Sequence, residues 1–228
     1  MLARRIGGRF GVACSRRTAL RVAGRLGFST CKPWSVPYNS ATPEEQAEFI
    51  KNRDTIARWR EEGRAVLAVD ATTLRDSPVS RRGLRRRGKK NVVRTNHSKK
   101  AIHLIGALGD GTLDLQFHES LKGESYVALA EYARRRRGKV GIIADNAGAL
   151  TGRDISEYVA GTNGAVEIIH IPPHTPQLNP IETEWREIKA AIADIFFGGL
   201  DKMRDAIIRM LHNKEIPIVR LFDWLLPP

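Results

Sequence analysis

A chain of 228 residues can hold one well-buried domain and a small appendage. Its hydrophobic content of 42% is that of a globular protein rather than a disordered one, and no apolar run approaches the roughly 20 residues that cross a bilayer. Lys and Arg number 38 against 25 Asp and Glu, a net charge of +13, which points to a polyanionic partner.

The N-terminal 43 residues contain no acid but seven Arg and one Lys. That composition suits either a basic DNA-binding segment or an organellar transit peptide; the charge pattern of the rest favours DNA. Ser15 is placed to cap a helix carrying Ala19, Leu20, Val22, Ala23 and Leu26 as an apolar stripe, with Gly27 ending it. Arg16, Arg17 and Arg21 on that helix are candidate DNA contacts. Residues 33–43 read as a linker. Thr42-Pro43-Glu44-Glu45 starts a helix running to about Glu62, with Phe49, Ile56 and Trp59 inward.

Ala65–Ala71 is then a buried strand ending in a carboxylate, Asp70. From Ser77 to Gly109 there is no acid, and Arg82, Arg85, Arg86, Arg87, Lys89 and Lys90 form the densest basic cluster. These too are candidate DNA contacts. Ala101–Leu108 and Thr112–Phe117 flank an Asp110-Gly111 turn as a hairpin. Ser125–Arg136 reads as a helix and Val140–Asp145 as a second buried strand ending in an acid. Asp154–Ala160 is a short helix, Val166–Ile171 a strand, and Ile181–Ile195 a long amphipathic helix opened by Asn179 and Pro180. Helices near Leu200–His212 and Pro217–Leu226 complete the chain. An early hairpin followed by strand–helix alternation predicts an α/β fold with a mixed sheet covered by helices.

Asp70 and Asp145 each follow several apolar residues, where an ordinary surface charge is out of place and a partner is needed. Functional groups in such sheets gather at the carboxyl ends of strands, although for either acid alone a turn cap is an equal reading. Glu182, in the first turn of a helix fixed by two proline clusters, is a third acid able to meet them. Three converging carboxylates favour hard cations with oxygen ligands, such as two Mg²⁺ or Mn²⁺ about 3.5–4 Å apart that clamp both oxygens of a phosphodiester displacement.

The segments AVDATT, ADNAGA and IPPHTPQLNPIETEWREIK resemble the DDE-type transposases of the mariner-like superfamily, in particular those of bacterial and archaeal insertion sequences. The resemblance covers about residues 42–213 and, weakly, 7–38, which is similar to half of a paired helix-turn-helix region. It implies a ribonuclease-H-like catalytic domain over 63–228, a linker and helix over 39–62, and a partial helix-turn-helix over 1–38. It implies Asp70, Asp145 and Glu182 as catalytic metal ligands for Mg²⁺ or Mn²⁺. Glu182 lies 37 positions after Asp145, within the family's range. The implied reaction is cleavage at element ends and transfer into target double-stranded DNA, usually at TA. A homodimer acting in the cytoplasm on the nucleoid, with no membrane association, follows from the same resemblance. The sequence departs from the family pattern at Leu150 (often His), Leu84 (near a common Trp) and Ala71 (often Glu), and the paired DNA-binding region is incomplete. A truncated or domesticated, catalytically silent DNA-binding protein is the alternative.

Other acids sit nearby. Glu184, Glu187, Asp76, Asp110 and Asp114 are expected to be solvated or in turns, with Glu184 the rival to Glu182. His170 and His174 are expected as solvated or capping residues of a loop. Cys14 and Cys31 match neither a zinc spacing nor a disulfide framework, consistent with a reducing interior.

Overall fold

The structure, a computed structural model, describes residues 2–29, 42, 44, 52–81, 92–96, 98–172, 175 and 178–221. The chain divides into two units, Met1–Tyr38 and Asn39–Pro228. The first contains helices α1 (Leu2–Phe10) and α2 (Arg16–Arg25). Ser15 caps α2 as expected, its hydroxyl accepting from the Thr18 amide at 3.1 Å. Gly27, at φ +82°, ends it: the Phe28 amide returns to the Ala23 carbonyl and that of Gly27 to Gly24, satisfying carbonyls the helix leaves open. The apolar stripe is mostly outward. Ala19 is buried, whereas Leu20, Val22 and Leu26 are exposed.

In the second unit α3 (Arg53–Glu61) precedes β1 (Ala65–Arg75). The hairpin β2 (Ala101–Gly109) and β3 (Thr112–His118) follows, then α4 (Gly123–Arg137) and β4 (Val140–Ala144). The short α5 (Gly148–Thr151) and α6 (Arg153–Gly161) lead to β5 (Val166–His170), α7 (Ile181–Ala191) and α8 (Leu200–His212). The sheet order is β3-β2-β1-β4-β5. β1 runs antiparallel to β2 and parallel to β4, which is parallel to β5. The mixed sheet expected from the sequence is therefore present.

Alternation along β1 sends Val66, Ala68 and Leu74 to one face, where Ile56, Trp59, Ile181, Trp185, Ile188 and Ile207 close a core. Leu67 and Val69 go to the other, against Leu129, Ala133 and Ile155. Period-two side chains on a sheet buried on both sides produce these near-continuous apolar runs.

The start of β1 is fastened by charge. Arg64 is buried and reaches Glu62, Glu167 and the carbonyls of Gly164 and Ala165. Trp59 lies over Gly141, where a Cβ would strike its ring, and donates from Nε1 to Glu167 at 2.7 Å. These contacts and Arg58 hold the Glu167 carboxyl below its usual range, the Trp59 hydrogen bond most strongly.

Several expectations are corrected. α7 ends at Ala191, not Ile195. Pro217–Arg220 is not helical: the Val219 amide is taken by the Glu184 carboxylate at 2.6 Å and Arg220 bridges Asp110 in antiparallel fashion. Glu184 is fully buried, not solvated, and Asp76 is buried too, with Asn96 donating to it at 2.8 Å. Asp114 is paired with Arg136 and Arg137. Phe49, His174 and residues 222–228 lie outside the described residues.

Candidate active site

Val69 and Ala144 are register partners on adjacent parallel strands. The next residue of each chain segment is an acid, so Asp70 and Asp145 stand side by side where the parallel pairing ends. Both have the parity of the sheet face covered by α7, the helix that carries Glu182 in its first turn. Asn179, just before that helix, donates to the Val69 carbonyl at 3.3 Å and accepts weakly from the Ile181 amide at 3.4 Å. This ties the helix start to β1 at the residue before Asp70.

Each acid is held differently. Asp70 accepts from Trp185 Nε1 at 2.8 Å. Burial, with smaller pushes from the charges of Glu182 and Asp145, drives its carboxyl up to about 7, against the opposing hydrogen bonds from Trp185 and the Ala71 backbone. Asp145 accepts from the Ala147 amide at 3.1 Å. The residue after it, Asn146, donates to the Ile171 carbonyl at 2.9 Å. Glu182 is exposed as a residue, yet its carboxyl is partly desolvated; burial raises it, Lys189 pulls it down and Asp145 raises it further. The Tyr126 phenol is raised to about 12 by burial, and then by Asp70 and Asp145.

The three acids therefore share one electrostatic neighbourhood, and among the described residues none makes an ion pair. The donor chemistry fits a hard divalent cation, being all carboxylate oxygen, mutually repelling and without an ion pair among the described residues. The convergence is looser than the sequence suggested. Among the described residues no three acidic, histidine or cysteine side chains stand close enough to enclose an ion.

Two contributors were missed from sequence. His170 ends β5 beside the site, its Nδ1 3.1 Å from the Asp145 carbonyl oxygen, instead of lying solvated in a loop. Trp185 entered only as part of a motif. Its place on the Ile181, Trp185, Ile188 stripe marks it as inward, but nothing in the sequence names its acceptor. Of the candidate DNA contacts, Arg16, Arg17 and Arg21 are exposed on α2. Arg82, Arg85, Arg86, Arg87, Lys89 and Lys90 lie outside the described residues.

A five-stranded mixed sheet with helices on both faces, bearing one acid within β1, which runs on to Arg75 rather than ending at Asp70, beside another just after β4, is a ribonuclease-H-like domain. The family model described as DDE superfamily endonuclease matches residues 65–204, and the chain belongs to that family. Its fold is that of mariner transposases. The Mos1 transposase paired-end complex with left transposon end superposes with a TM-score of 0.68 at 14% identity, over 95% of this chain and 68% of that one. The Mos1 paired-end complex with Mg gives 0.65 at 16%, over 96% and 68%. The Mos1 catalytic domain alone gives 0.54 at 16%, over 78% and 85%. Nothing among curated protein sequences matches the chain. No helix among the described residues is long and apolar enough to cross a membrane.

Proposed function

We propose that the chain is a DNA transposase that cleaves phosphodiester bonds at the ends of a mobile element and joins them to target DNA, using Asp70, Asp145 and Glu182 as ligands for Mg²⁺ or Mn²⁺. The observation that carries this reading is the register pairing of Val69 with Ala144, which sets two acids that make no ion pair among the described residues together beneath the helix bearing a third. Bound divalent cations supply Lewis-acid polarisation of the phosphate and an activated water or 3′-hydroxyl. The protein's own part is positioning. The Ala147 amide fixes the Asp145 carboxylate, and the Asn179 bond to Val69 fixes the start of the glutamate's helix. Glu182, exposed at the first turn, has the freedom to close on an ion. Exposed Arg16, Arg17 and Arg21, together with the basic cluster Arg82, Arg85, Arg86, Arg87, Lys89 and Lys90, are assigned to holding the polyanion. Partners are double-stranded DNA, as element ends and target, and a second copy of the chain.

The test is nicking of supercoiled plasmid by the purified full chain with Mg²⁺ or Mn²⁺. Cleavage that chelator abolishes and Asp145→Asn removes, with DNA binding retained, supports the reading. The looseness of the acid trio favours a second reading, a catalytically silent DNA-binding protein derived from a transposase. It predicts salt-sensitive binding with no nicking under any divalent metal.

A further inference from the structure

Every carboxylate that holds a metal must itself be held. An aspartate side chain swings about two torsions, and a neighbouring donor that takes one oxygen fixes the other for the ion. Trp185 is the only side chain among the described residues whose hydrogen bond to the Asp70 carboxylate the structure records, Nε1 to Oδ2 at 2.8 Å. It is 1% exposed, so its ring cannot move without disturbing the core. It stands one helical turn after Glu182 on α7, so the same helix carries an exposed acidic residue and a buried donor.

The opposite strand is cut to fit. Gly106 is the antiparallel register partner of Asp70. A Cβ there would lie 2.6 Å from Trp185 Cη2, 3.1 Å from Cζ2 and 2.9 Å from Ile181 Cδ1. The indole thus reaches Asp70 through space that only glycine leaves open. A tryptophan that served packing alone would need an acceptor for its N–H, but not the carboxylate that the function assigns to metal.

We propose that Trp185 is a positioning residue for the metal site, orienting Asp70 through its indole N–H, and that Gly106 admits it. This rests on the reading of Asp70 as a metal ligand. The experiment uses the full chain and three variants. These are Trp185→Phe, Asp70→Asn, and Trp185 replaced by benzothienylalanine, which keeps the ring shape but has sulfur where the N–H was. Mn²⁺ binding is followed by loss of the free-ion EPR signal, beside thermal unfolding and the Mg²⁺ dependence of nicking. Loss of an oriented outer partner weakens metal binding by about 10–100-fold. The benzothienyl protein is expected to show weakening of that order, to need correspondingly more Mg²⁺ for half-maximal nicking, and to regain rate at high Mg²⁺. Phe is expected to behave alike if it folds; if it does not, the benzothienyl protein decides. Wild-type Mn²⁺ affinity in the benzothienyl protein, with Asp70→Asn abolishing binding, overturns the role of Trp185 and leaves the acid assignment standing. A wild-type chain that binds no Mn²⁺ overturns both.

Discussion

Gly106→Ala probes the close approach of helix and sheet beneath the acids. The added methyl would sit at 2.6 Å from Trp185 and 2.9 Å from Ile181, where ordinary carbon contacts begin near 3.5 Å. Both neighbours are buried and belong to α7, so about 1 Å of displacement must be absorbed by the helix. Overpacking of this kind costs about 1–3 kcal/mol. For a domain of this size that lowers Tm by roughly 2–4 °C per kcal/mol, or about 4–8 °C for 2 kcal/mol. Gly141→Ala is the matched control: its methyl would strike the buried Trp59 ring even more closely, but that ring holds Glu167 at the other end of the sheet. Thermal unfolding of both proteins, with nicking measured per folded molecule, separates stability from positioning. Both variants are expected to lose stability, and only Gly106→Ala is expected to lose nicking at limiting Mg²⁺. Unchanged Tm in Gly106→Ala would show that the helix yields freely and would refute the packing argument.

Other outcomes follow from the same geometry. Asp145→Asn removes a carboxylate with no ion-pair partner among the described residues, so metal-dependent nicking should vanish while salt-dependent DNA binding in gel shift is retained. Glu184→Ala deprives the Val219 amide of its acceptor and empties a buried position; a loss of about 2–4 kcal/mol in denaturant unfolding is expected, with faster hydrogen exchange at Val219. Glu167 has a carboxyl held below its usual range by Trp59, Arg58 and Arg64. Its stabilisation is complete above the unfolded value near 4.5 and is lost as pH falls through the lowered folded value. Glu167→Gln should cost about 1 kcal/mol at neutral pH, since the side chain is a third exposed. It should also flatten the acid limb of the stability curve measured by urea unfolding.

The sequence discloses the site more readily than its supports. Asp70 and Asp145 stand out because an acid after a run of strand-forming apolar residues has few structural uses. That they become neighbours depends on β1 and β4 pairing in parallel, which no local pattern encodes. The burial of Glu184 was readable: it falls on the stripe Ile181, Trp185, Ile188, where helical spacing places an inward residue. Asp76 likewise continues the inward alternation of Thr72 and Leu74 in β1. Both were expected outside because charge outweighed periodicity, yet each has found a hydrogen-bond donor. The extended course of Pro217–Arg220 was hidden. Its pattern suits a helix, and only the distant Glu184 and Asp110 claim its backbone.

The Arg64 cluster lies at the end of β1 away from the acids. Removing a carboxylate from the opposite rim leaves that anchor and both cores intact. On the proposed function, a descendant that lost one of these acids would forfeit nicking in one substitution and still persist as a well-folded protein, free to be recruited for what it holds rather than what it cuts. A lineage that loosened the anchor first would instead weaken the scaffold on which both acids sit.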